Sequence, residues 1–118
     1  MIIRQGYEHY ENDLIESLSF LKNYDHEVIE QRTDGSFYAY TVTIQGHKLG
    51  LIRYYYEFIE QFLKVTLQIN GENTTTLDLN QELNLGYKKS DLFPIGDEYQ
   101  KVLQNTASII QRILKNEL

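Results

Sequence analysis

The chain has no cysteine, one proline and no serine- or glycine-rich tract. Without cysteine there is no disulfide, no thiolate metal site and no sulfur nucleophile. The scarcity of proline and of low-complexity sequence excludes long disordered segments. No apolar run approaches the roughly 20 residues that span a bilayer. The first residues, Met1-Ile2-Ile3-Arg4-Gln5-Gly6, lack the apolar stretch and small-residue cleavage site of a signal peptide. The expected address is the cytoplasm, with no membrane contact. Basic charge is also short: 11 Lys and Arg stand against 17 Asp and Glu, for a net charge of −6. That balance opposes a nucleic-acid backbone as partner, whose footprint on a protein is basic.

Chemical motifs are missing as well. There is no GxGxxG, no phosphate-binding Gly-rich loop ending in Gly-Lys-Ser/Thr, and no Gly-x-Ser-x-Gly. His9, His26 and His47 are isolated, and none pairs at the spacing of a zinc site. Glu57 and Glu60 could be offered as an acid–base pair, but Lys64 is a ready partner for Glu57 and Glu60 falls in a turn. Five serines, at 17, 19, 36, 90 and 108, have no histidine and acid beside them in sequence. The expectation is a non-enzyme with no catalytic residue, no metal and no cofactor.

What is present is pattern. At 118 residues the chain suffices for one core, so a single domain over 1–118 is expected. Tyr7, Tyr10, Leu14, Leu18 and Leu21, flanked by Ile15, recur at helical spacing and predict a helix over 7–22. Tyr99, Val102, Leu103, Thr106, Ile109, Ile110 and Ile113 predict a second helix from an Asp97 cap to about Asn116. Between them, from His26 to Leu79, apolar and polar residues alternate in strand fashion.

The strands suggest their own register. An Asp34-Gly35 turn would place Ile29 opposite Tyr40, both facing the core. A three-residue turn at Gly46-His47-Lys48 pairs Ile44 with Gly50, Val42 with Ile52, Tyr40 with Tyr54 and Tyr38 with Tyr56. A turn at Glu60-Gln61 pairs Phe58 with Leu63, Tyr56 with Val65, Tyr54 with Leu67 and Ile52 with Ile69. At Asn70-Gly71 a two-residue hairpin conflicts with the faces of a strand that runs to Leu79. A bulged turn over Asn70–Asn73 is therefore expected, pairing Val65 with Leu77 and Leu63 with Leu79. Leu83, Leu85 and Tyr87 could add a short edge strand. The predicted fold is α+β: an N-terminal helix, a five-stranded antiparallel meander and a C-terminal helix, with both helices on one face of the sheet.

The same register orders the outer face into rows: Glu57, Lys64 and Asp78; Tyr55, Thr66 and Thr76; Arg53, Gln68 and Thr74. An outward tyrosine among threonines, an arginine and a glutamine has the composition of a protein-contact patch. The candidate partner-binding residues are Arg53, Tyr55, Glu57, Thr66, Gln68, Thr76 and Asp78, with the acidic stretch Glu82 to Glu98 as an extension. Acidic charge is concentrated in two regions, with seven acids against two bases in 1–30 and six against two in 71–100. The ten tyrosines include Tyr38, Tyr40, Tyr54 and Tyr56 on the core face, which either pack as core or line a ligand pocket between sheet and helices.

The short N-terminal helix, the aromatic strands around Phe37-Tyr38-Ala39-Tyr40 and Ile52-Arg53-Tyr54-Tyr55-Tyr56, and the C-terminal helix together resemble the small, acidic, cysteine-free immunity proteins of bacterial toxin–immunity systems, including contact-dependent inhibition. The likeness covers most of the chain as architecture and carries no motif, so no functional residue transfers. It implies a protein that binds a cognate toxin and covers its active site. A basic toxin cleft would complement the acidic chain. Two alternatives stand beside it: a ligand-binding or enzymatic domain built on the tyrosine pocket, and a phage-type acidic inhibitor. A monomer or a homodimer fits either way.

Overall fold

Five antiparallel strands lie side by side in chain order, with helices before and after them, in a computed structural model that describes residues 3–33, 36–57, 60, 62–93 and 99–118. The elements are α1 (Ile3–Ser17), β1 (His26–Thr33), β2 (Phe37–Ile44), β3 (Leu49–Glu57), β4 (Phe62–Ile69), β5 (Glu72–Thr75), α2 (Thr76–Leu83), α3 (Lys89–Leu92) and α4 (Tyr99–Leu114). The predicted α+β architecture is the one observed. The Asp34-Gly35 turn, Phe58, Gln61, Pro94 and the Asp97 cap lie outside the described residues, as does the side chain of Tyr7.

The first helix ends sooner than its periodicity suggests. Ser17 Oγ donates to the Leu14 carbonyl at 2.7 Å, and the chain tightens into a 3-10 turn over Ser19–Asn23. That turn still carries the stripe inward: Tyr10, Leu14, Leu18 and Leu21 are buried, whereas Ile15 is exposed. On α4 the stripe is buried from Val102 to Leu114, with Tyr99 half-buried at its start.

The inner face of the sheet carries Tyr38, Tyr40, Val42, Ile52, Tyr54, Tyr56, Leu63, Val65 and Leu67, all buried. Both long helices reach it. The Tyr10 ring of α1 packs against Tyr38 and Tyr56, with centroids 5.9 and 4.4 Å away, and Thr106 of α4 bonds to Tyr54. Hydrophobic burial of these large rings and aliphatic chains is the main force holding the layers together.

The β2–β3 register is the one predicted, with Tyr38 opposite Tyr56, Tyr40 opposite Tyr54 and Val42 opposite Ile52. Three other expectations need correction. Between β3 and β4 the pairing is offset by two residues, so that Tyr56 meets Leu63 and Tyr54 meets Val65. An offset of two keeps every side chain on its face. A bulge at Gly50 then lets Leu49 join the buried set.

Between β1 and β2 the offset is one residue, and this inverts β1. Glu30 stands opposite Tyr40, and Ile29 stands opposite Thr41 on the outer face, 59% exposed. A polar network at the sheet rim fits this register. The Tyr38 hydroxyl donates to Glu30 Oε1 at 2.5 Å, and the Arg32 guanidinium lies 4.7 Å from the Tyr38 ring centroid while donating to Glu11 Oε1 of α1 at 2.9 Å. No residue of β1 is buried, so no apolar face of this strand decides the register.

At Asn70-Gly71 the two-residue hairpin does form, pairing Leu67 with Thr74 and Ile69 with Glu72. Asn70 at φ 52° and Gly71 at φ 82° are the two left-handed residues of a type I′ turn. The conflict of faces vanishes because the strand stops at Thr75. Thr75 Oγ1 accepts from Asp78 N at 3.1 Å and starts α2, so Leu77 and Leu79 belong to a helix. Thr75-Thr76-Leu77-Asp78 is a Thr-x-x-Asp helix-start pattern. The predicted edge strand at Leu83, Leu85 and Tyr87 is absent as well. Asn80 holds that segment instead, donating from Nδ2 to the Tyr87 carbonyl and accepting from Tyr87 N, both at 3.0 Å.

Candidate functional site

Among the described residues, the outer face of the sheet carries half-buried and exposed side chains, and Phe93 packs on Phe62 at its β4 side with ring centroids 5.1 Å apart. Side chains alternate across a strand, so the neighbours of the buried tyrosines point away from the helices. On β3 and β4 these are Leu51, Arg53, Tyr55, Glu57, Phe62, Lys64, Thr66 and Gln68, and on β2 they are Phe37, Thr41 and Thr43. Arg53 and Lys64 are exposed and the rest are half-buried.

An aromatic pair organises this face. Phe37 and Tyr55 are diagonal neighbours on β2 and β3, and their rings stack with centroids 5.6 Å apart and planes inclined at 20°. The Arg53 guanidinium sits 5.7 Å from the Tyr55 ring centroid, within range of a cation–π contact. Ala39, directly opposite Tyr55, is 1% exposed. Threonines fill the rows beside the aromatics: Thr41 and Thr66 flank Arg53, and Thr75 follows Thr66.

Of the seven residues expected to form a contact patch, five lie together here: Arg53, Tyr55, Glu57, Thr66 and Gln68. Their rows differ from the expected ones, with Glu57 opposite Phe62 and Lys64 opposite Tyr55. Thr76 is a correction, being 2% exposed in the first turn of α2. Asp78 is another. It lies on α2, where its amide is capped by Thr75 and its carboxylate favours the helix N-terminus. Neither belongs to the sheet face, because the strand that would have carried them ends at Thr75. Of the acidic extension, Glu82 is on α2, Asp91 pairs with Lys101 at 3.3 Å, and residues 94–98 lie outside the described part. Phe37 was missed as a site residue. Its signal was available, since pairing Tyr38 with Tyr56 makes Phe37 and Tyr55 diagonal neighbours.

The tyrosines of the inner face pack against one another. Tyr10 meets Tyr38, Tyr56 and Tyr99 edge-on or tilted, and Tyr99 meets Tyr56 with centroids 6.1 Å apart. Burial pushes the phenol pKa values of Tyr10, Tyr38, Tyr40 and Tyr54 upward. The bond from Tyr38 to the Glu30 carboxylate adds to the rise there. A groove of about 350 Å³ between α1 and α4 is lined by Asp13, Glu16, Ser17, Gln100, Leu103 and Gln104. Another of about 540 Å³ beside α2 includes Asp78, Asn80, Tyr87 and Lys89. None of the four core-face tyrosines lines either one. Among the described residues no cluster of His, Asp or Glu could hold a metal ion, and no helix is long and apolar enough to cross a membrane.

These elements define an α+β protein. Compared with protein-family models, curated proteins and solved structures, the chain matches none.

Proposed function

We propose that this chain is a non-enzymatic protein-binding module of the immunity or inhibitor type, with the outer face of its sheet as the contact surface. One observation carries the reading: the Phe37–Tyr55 stack with Arg53 over the Tyr55 ring, set among threonines on the outer face of the sheet. Stacked aromatic rings and arginine are the residues that most often dominate binding energy at protein interfaces. They are held on strands paired on both sides, so they meet a partner already ordered. The net charge of −6 supports a basic partner, such as a toxin whose catalytic cleft binds an anionic substrate. The inner-face tyrosines favour core packing over the ligand-pocket reading.

The test is capture of a stoichiometric partner from the native organism with the tagged chain, identification by mass spectrometry, and titration of the purified pair. Tyr55→Ala and Arg53→Glu should each weaken binding by about tenfold or more. Asp78→Lys, off the face, should leave affinity within about twofold. Unchanged affinity in both face variants, or no stoichiometric partner, overturns the proposal.

A further inference from the structure

The sheet has one long edge strand. β1 is its first strand, paired with β2 on one side only, and it runs eight residues from His26 to Thr33. It has no proline, no lysine and no bulge against β2, and its charges, Glu27, Glu30 and Arg32, are mixed in sign, with Glu30 and Arg32 tied into the rim network by Tyr38 and Glu11. Val28 and Ile29 are 40% and 59% exposed, one on each face of the sheet. The other edge is different, because β5 has only four residues and turns directly into α2.

We propose that two copies of this chain pair through β1, antiparallel, about a two-fold axis at Ile29. The phase of the ladder shows which groups are offered. Gln45 N donates to the Asp25 carbonyl at 3.0 Å, and the register places these two residues opposite each other. They are thus a hydrogen-bonded pair, and so are the alternate residues that follow, Glu27 with Thr43 and Ile29 with Thr41. The backbone groups of Val28 and Glu30 are directed the other way, toward the side where no strand lies.

Symmetry and charge select the register. A two-fold axis normal to the sheet requires one residue to face its own copy. With Glu30 on the axis, two carboxylates oppose each other directly, which is destabilising. With Val28 or Gln31 on the axis, the paired stretch shrinks to His26–Glu30 or Ile29–Thr33. With Ile29 on the axis, pairing runs from His26 to Arg32 and Val28 faces Glu30 of the other copy. The most exposed apolar side chain of the strand then meets itself in a non-hydrogen-bonded pair, where Cα atoms are about 4.5 Å apart. On the inner face of β1, Val28, Glu30 and Arg32 are all exposed, and α1 reaches the strand at its far end, where Glu11 pairs with Arg32. The product is a continuous ten-stranded sheet, twice the five of one copy, with both outer faces on one side.

Sedimentation velocity of the full chain over a range of concentrations should show a reversible dimer. Ile29→Lys should raise its dissociation constant by at least about tenfold while leaving the circular dichroism spectrum unchanged, because Ile29 is exposed. The chain has no cysteine, so single cysteine variants report only on their own position. Ile29→Cys should form a covalent dimer under mild oxidation. Gln31→Cys should not, since its two copies would be roughly 13 Å apart along the strands, beyond disulfide reach. A chain that stays monomeric at every concentration overturns the proposal, even if its edge then takes up a foreign strand. A dimer that survives Ile29→Lys, or that cross-links faster through Gln31→Cys, overturns it too.

Discussion

The Tyr54 hydroxyl and Thr106 Oγ1 meet at 2.9 Å inside the core, joining the middle strand of the sheet to α4. Thr106 Oγ1 also lies 2.8 Å from the Val102 carbonyl, which can only accept. The single threonine proton therefore goes to the carbonyl, and Tyr54 is the donor. Each polar atom of the pair is satisfied, which is the condition for burying them at all.

Thr106→Val keeps the shape of the side chain and removes the acceptor. The Tyr54 hydroxyl is then buried without a partner, and the loss expected in urea unfolding is about 1–3 kcal/mol. Tyr54→Phe leaves Thr106 bonded to its own helix and should cost less, about 1 kcal/mol. Equal losses in the two variants would contradict the assignment of the donor.

Tyr10 is the opposite case. Its hydroxyl is buried and has no hydrogen-bond partner among the described residues, although its ring contacts three other tyrosines. Tyr10→Phe should keep the ring packing and relieve the unpaired hydroxyl, holding or raising the unfolding midpoint. A loss of more than about 1 kcal/mol would show that the hydroxyl is bonded in solution.

Alkaline pH should unfold the protein through its buried phenols. Burial raises the folded-state pKa of Tyr10, Tyr38 and Tyr54 above the unfolded value of about 10. The unfolded chain thus releases protons first as pH rises. Stability is fully present below pH about 10 and falls progressively above it, up to the folded-state pKa values. Tyrosinate absorbance followed against circular dichroism checks this. A fraction of the phenols should ionise only as the fold is lost, and full ionisation with structure retained is the contrary outcome.

The Asn70-Gly71 turn should be sensitive to backbone geometry alone. A Cβ on Gly71 would meet nothing within 4 Å, so crowding plays no part, but its φ is 82°. Gly71→Ala should cost about 1 kcal/mol in thermal or urea unfolding. Thr75→Ala, which removes the cap of α2 a few residues later, should cost about the same. Insensitivity at Gly71 would mean the turn adapts to another type.

Much of the fold and part of the site were legible because alternation is local. Whether a residue points in or out depends on its parity along the strand, and parity survives an error of two residues in register. That is why Tyr38, Tyr40, Tyr54 and Tyr56 emerged on one face and Arg53, Tyr55, Glu57, Thr66 and Gln68 on the other. The β2–β3 pairing, set by a short turn between strongly patterned strands, was readable to the residue. The amphipathic stripe of α4 was equally plain.

Only the tertiary structure decided where strands stop and what holds a strand without a buried face. Thr74 to Leu79 alternates like a strand, yet Thr75 caps a helix there, since Leu79 reaches the core from α2. That choice removed Thr76 and Asp78 from the outer face. In β1 every residue is at least partly exposed, so hydrophobic patterning has no grip on its register. The observed register, with Ile29 outward, lets Tyr38 bond Glu30 across the hairpin and Arg32 reach Glu11 of α1, 21 residues away in sequence. Side-chain direction is a property of a few neighbouring residues, whereas strand ends and edge registers depend on contacts that exist only once the chain has folded.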